Sequence, residues 1–151
     1  MSILRALATN VFPLFREETE VARYLAIPHS VEGIVIPGPP PGLSDRHLQF
    51  DAPGVIAGSN AVVMFQTTPH DAEVTFSVRL NNTPHLVTAT VSDGRRESWH
   101  EVAQRDALKP EKNELVLAVS KGSMTFSDVV ILYRSNRLTE KTPINVVAID
   151  Q

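Results

Sequence analysis

From Leu48 onward, apolar and polar positions along the chain alternate with a period of two, and turn-forming residues interrupt the alternation at short intervals. In "VTFSVRL", Val74, Phe76, Val78 and Leu80 fall on one side, and Thr75, Ser77 and Arg79 fall on the other. In "HLVTATV", Val87, Ala89 and Val91 oppose Leu86, Thr88 and Thr90. Each strand therefore has a core face and a largely polar face. "LVLAV" and "VVILY" are apolar almost throughout, the pattern of strands covered on both sides. The pattern predicts strands over 48–50, 61–66, 74–80, 85–91, 98–102, 114–120 and 125–133. Asn81-Asn82-Thr83-Pro84, Asp93-Gly94, Pro110 with Asn113, and Lys121-Gly122 supply the turns between them. Strands at this spacing without intervening helices predict an all-β antiparallel sandwich or barrel over 48–135.

The period changes at the two ends of the chain. "FPLFREETEVARYLAI", residues 12–27, places Leu14, Phe15, Val21, Ala22 and Leu25 at spacings near three and four. Pro13 suits a first helical position, Glu17, Glu18 and Glu20 suit the positive end of a helix dipole, and Pro28 ends the run. A helix is predicted there, docked on its own domain or on a partner. Pro37, Pro39, Pro40 and Pro41 then predict an extended connection, so 1–47 reads as a helix and a proline-rich crossing. Beyond 135, the apolar segment 144–149 predicts one more strand or an arm that adds to a neighbouring subunit's sheet.

Composition narrows the function classes. A chain of 151 residues can bury one core without staples. Fourteen basic against seventeen acidic residues leave a net charge of −3, which argues against binding by neutralising nucleic-acid phosphates. The absence of cysteine excludes disulfide frameworks, thiolate metal sites and cysteine nucleophiles. Arg5, Asn10 and Pro13 interrupt the apolar start, so neither a signal peptide nor a membrane span is expected, and a cytoplasmic or particle-borne protein is.

No nucleophile elbow, metalloprotease helix or phosphate-binding glycine loop occurs, and no catalytic residues or cofactor are assigned. His70, Asp71 and Glu73 form one polar cluster and Asp45, His47 and Asp51 another; either can supply oxygen ligands to a structural calcium, though polar loop positions flanking strands account for both better. The candidate ligand-binding residues are Arg79 and Thr88 on the polar faces of their strands, and Trp99 with His100 in "ESWHEV". An exposed Trp99 offers a face on which a sugar ring stacks beside hydrogen-bonding groups, whereas a lone tryptophan in a sandwich more often packs in the core.

In "LKPEKNELVLAVSKGSMTFSDVVILYRS", Leu108, Pro110, Asn113 and Leu115 precede and open one strand, and Asp128, Val129 and Ile131 sit in the next. This phrasing resembles the closing strands of galactose-binding-like jelly-roll domains, and "VTFSVRLNN" resembles an earlier strand of the same fold. The resemblance implies a jelly-roll sandwich acting as a non-catalytic module for carbohydrate or a similar surface ligand. The competing expectation is a structural subunit of a repeating, homo-oligomeric assembly such as a virion decoration, tail or fibre protein, drawn from the helix stripe, the proline crossing and the terminal segment.

Overall fold

The computed structural model describes residues 20–38, 44–137 and 146–149, and every element among them is a strand. They are β1 (Val21–Ala26), β2 (Ile34–Ile36), β3 (Ser44–Phe50), β4 (Val62–Pro69), β5 (Val74–Leu80), β6 (His85–Val91), β7 (Glu97–Val102), β8 (Asn113–Lys121), β9 (Met124–Ser135) and β10 (Val146–Ile149). Two antiparallel five-stranded sheets face each other as a β-sandwich. The first runs β1-β9-β4-β7, with β2 sharing the β1 side of the long β9; the second runs β10-β3-β8-β5-β6. The seven strands read from the alternation are β3 to β9, with 74–80 and 85–91 matching end to end.

The alternating residues close the core between the sheets. Phe65 of β4, Phe76 of β5, Phe126 of β9 and Trp99 of β7 meet there, with Phe76 edge-on to Trp99 at 5.2 Å and to Phe126 at 5.7 Å between ring centres. Leu48, Val63, Val78, Leu80, Leu115, Leu117 and Ile131 complete the packing. β8 and β9 are interior in their sheets, as their apolar runs imply, but their outer faces are covered only in part, at Val116 for example. Leu115, Leu117 and Val119 point into the core, whereas Ala118 of β8 and Val130 and Leu132 of β9 remain partly exposed on the outer faces.

The predicted helix over 12–27 is corrected by the strand β1. Residues 12–19 lie outside the described residues; Val21–Ala26 pairs residue for residue with β9, from Val21 opposite Ser135 to Ala26 opposite Val130. Leu25 and Ile27 enter the core while Tyr24 faces out, a period of two that Val21 and Leu25 of the apolar stripe fit and Ala22, exposed on the other face, does not. A helix of this length has little stability of its own, and a row of backbone partners along β9 outweighs it. Of the proline-rich crossing, 39–43 lies outside the described residues; β2 belongs to the first sheet and β3 to the second. The terminal segment supplies β10, which pairs antiparallel with β3 of the same chain, Val146 opposite Phe50 and Ile149 opposite His47.

Two features of the resemblance phrase have physical causes. Asn113 is fully buried at the start of β8: its Oδ1 accepts from the Lys109 amide at 2.8 Å and from Asn81 Nδ2 at 3.0 Å, and its Nδ2 donates to the Lys109 carbonyl at 2.7 Å. Asn81 in turn accepts from the Glu114 amide at 2.7 Å, so two asparagines join the β5–β6 turn to the loop entering β8. Asp128 has a φ of 50° and occupies a bulge, where β9 fits extra residues opposite the Met64–Gln66 stretch of β4. Ser30 takes up the bulge's freed amides: its carbonyl accepts from Asp128 at 2.8 Å and its hydroxyl from Val129 at 3.1 Å.

Candidate functional site

The second sheet's outer face holds a cleft of about 260 Å³ lined by Asp45, Ser77, Arg79, His85, Val116, Ala118, Val119 and Ser120. Register brings these residues together. Arg79 lies opposite Val116 on one side and His85 on the other, and Ser77 lies between Ala118 and Thr88. Asp45 lies across from Ala118 on β3. Val116 and Ala118 therefore make an apolar floor, and hydroxyl, imidazole, carboxylate and guanidinium groups surround it.

Arg79 is half-buried, and its Nε is covered without a hydrogen-bond partner. No ion pair among the described residues engages its guanidinium, in contrast to Arg95 with Asp93, Lys121 with Glu73 and Arg134 with Glu20. The single acid lining the cleft, Asp45, is already occupied. His47 Nε2 stands 3.3 Å from Asp45 Oδ2, and His47 Nδ1 stands 2.9 Å from Glu114 Oε2. With an acceptor at each nitrogen the ring is suited to the imidazolium form, donating both ways. The Glu114 hydrogen bond, opposed by burial and assisted by Asp45, raises the His47 pKa above the usual imidazole value.

That bridge makes stability depend on pH. The folded protein holds the His47 proton more tightly than the unfolded chain, so the stabilisation is complete below the unfolded pKa of 6.5 and is lost as pH rises through the higher folded value. His47→Gln is expected to lower the melting temperature most at about pH 6 and progressively less toward about pH 8.5. Thermal melts of both proteins across that range check it; a deficit that does not change with pH would leave His47 a packing role alone.

The predicted ligand residues divide between two surfaces and the core. Arg79 lines the cleft, and Thr88 stands exposed beside Ser77 on the same face, toward the sheet edge. Trp99 takes the packed alternative: partly buried, it stacks parallel to Phe65 at 6.2 Å and donates its Nε1 hydrogen to Thr67 Oγ1 at 2.9 Å. One side of the indole thus lies against Phe65 and its donor is spent on Thr67. His100, the next residue, points out from the other sheet, in a row running Ala26, Val130, Met64, His100 across four strands. Beside it runs a second row, Tyr24, Leu132, Val62, Val102, of which Tyr24 and Val102 are about two-thirds exposed. His100 therefore borders an apolar face and does not share a site with Arg79.

Ser77, His85, Val116, Ala118 and Ser120 have no site role in the sequence reading, and Asp45 has one only as a calcium ligand, although the polar side of "VTFSVRL" already placed Ser77 beside Arg79. The two acidic clusters are spent on the fold. Asp71 accepts from the Ser123 amide at 2.7 Å, His70 pairs with Thr125 at 2.6 Å, and Glu73 pairs with Lys121. Asp45 faces His47, while Asp51 accepts from the Lys112 amide at 3.0 Å. Among the described residues no group of three or more such side chains is arranged to hold a metal ion. Among them, too, no helix is long and apolar enough to cross a membrane.

No protein-family model matches the chain, and no curated protein matches it. Among solved structures, a family two carbohydrate esterase from Cellvibrio japonicus is similar over 83% of this chain and 36% of its own, at 13% identity and a TM-score of 0.33. The chain thus spans little more than a third of that esterase. A structure described as "CBM4 structure and function" is similar over 83% of this chain and 86% of its own, at 10% identity and a TM-score of 0.34. Neither likeness is close enough to carry an argument about fold or ligand.

Proposed function

We propose that the protein is a non-enzymatic jelly-roll binding module that takes a hydroxyl-rich ligand, a carbohydrate, in the cleft around Arg79. The observation that carries this reading is the half-buried Arg79, its Nε without a partner among the described residues, beside an apolar floor ringed by Ser77, Ser120 and His85. Such a floor suits the apolar face of a sugar ring, and the surrounding donors and acceptors suit its hydroxyls. The strand order supports the jelly-roll assignment: β2-β9-β4-β7 faces β3-β8-β5-β6, the chain wrapping from sheet to sheet as it proceeds. The preference for binding over hydrolysis rests on the cleft's acids. Glycoside hydrolysis ordinarily places two carboxylates about a bond, and the one acid lining this cleft is engaged by His47.

The test is a glycan array followed by calorimetry on the intact protein. Binding of at least one glycan is expected, weakened about tenfold or more, roughly 1.4 kcal/mol, by Arg79→Gln and by Ala118→Arg, which fills the cleft. Trp99→Phe is expected to leave affinity unchanged, since the ring is interior. Binding that survives both cleft variants but fails in Trp99→Phe would overturn the assignment of the site, and an array without binding would overturn the function.

A further inference from the structure

We infer that the cleft's ligand is an acidic sugar, whose carboxylate is held by the Arg79 guanidinium while its ring hydroxyls meet Ser77, Ser120 and His85. The inference rests on the carbohydrate reading above and adds the charge.

The charges of this face are arranged asymmetrically. Asp45 and Glu114, from adjacent strands, lie at the two nitrogens of His47, so one imidazole is shared between two acids. Arg79 is one strand farther along, opposite Val116, and forms no ion pair among the described residues. Neighbouring Val116 and Ala118 exclude water from one side of its side chain, and the covered Nε shows the stem packed down against the sheet. A guanidinium so placed has lost part of its hydration without gaining a counter-ion. Its planar fork matches a carboxylate in a bidentate geometry that a single sugar hydroxyl cannot reproduce. In a concave site with a low-dielectric wall, that match contributes more than it would on an open surface. A neutral sugar would leave the charge of Arg79 unanswered; a uronic acid residue answers it and still offers hydroxyls to the rim.

The test uses trigalacturonic acid, its fully methyl-esterified form and acetate, titrated calorimetrically into the intact protein at low salt. Trigalacturonic acid is expected to bind at least about tenfold more tightly than the ester and than acetate, with affinity falling as salt is added. Arg79→Gln should erase the preference for the acid, and Arg79→Lys, which keeps the charge on a long stem, should retain part of it. Circular dichroism melts establish that both variants are folded. Equal binding of acid and ester, weakened equally by Arg79→Gln, would overturn the charge inference and leave the carbohydrate reading standing. Acetate binding as tightly as trigalacturonic acid would overturn the sugar part of the inference. Binding by none of the three would overturn this inference, and the array decides separately whether a neutral glycan binds.

Discussion

Phe76→Ala is expected to cost about 3–5 kcal/mol of stability, the largest loss from any single truncation discussed for this protein. Phe76 is 1% exposed and central to the aromatic cluster, contacting Trp99, Phe126 and Phe65 from three different strands of the opposite sheet. Its removal subtracts buried apolar surface and also leaves a cavity that strands tied by ladder hydrogen bonds cannot close. Urea unfolding followed by fluorescence measures it directly, because the one tryptophan, Trp99, packs against the ring removed. A melting temperature lowered by more than about 6 °C is the corresponding thermal result. Phe76→Leu, which keeps most of the volume, should cost far less. A loss below about 1 kcal/mol for the alanine variant would show that the two sheets move together over the gap. The consequence reaches the site, since Phe76 adjoins Ser77 on β5 and the cavity would open directly beneath the cleft.

Asn113→Ala is expected to cost about 2–4 kcal/mol by a different mechanism. The asparagine is fully buried, and its amide satisfies the amide and carbonyl of Lys109 while meeting Asn81. Alanine leaves those groups without partners in a place water cannot reach, and the unsatisfied groups cost more than the bonds themselves contributed. Asn113→Asp should be no milder, because it loses the donor and buries a charge. Equilibrium denaturation gives the magnitude. Hydrogen exchange gives the mechanism, with protection of the Lys109 and Glu114 amides falling more than that of core amides such as Phe76. Unchanged exchange at Lys109 would mean that the loop is held by something other than Asn113.

The strands were legible because a half-buried strand writes its burial into every second residue; Val74–Leu80 and its neighbour His85–Val91 carry that signature without interruption. The helical reading of β1 fails because Val21 and Leu25, four residues apart, fit a helical spacing as well as a strand's, and only pairing with β9 separates the two. Arg79 and Thr88 were found from the polar side of their strands. Trp99 was offered as a platform because its residue type suits one, but inward or outward is a matter of register against Phe65, which no local pattern records. His100 could not be separated from the site until its strand was placed in the other sheet.

What the sequence determined by itself was the kind of protein: an antiparallel β-sandwich whose faces alternate, with turns at residues whose backbone preferences make turns. The tertiary structure alone decided which faces meet. Strand pairing joins residues far apart in the chain, so the neighbours of Arg79, namely Val116 on one side and His85 on the other, follow from the order of strands in the sheet and from no pattern within β5. The same long-range pairing sets Asp45 and Glu114 around His47, leaving Arg79 at the cleft without an ion pair among the described residues. Burial is written locally, because each side chain either leaves water or does not. A binding site is a meeting of side chains from several strands, and the packing of the whole sheet decides it.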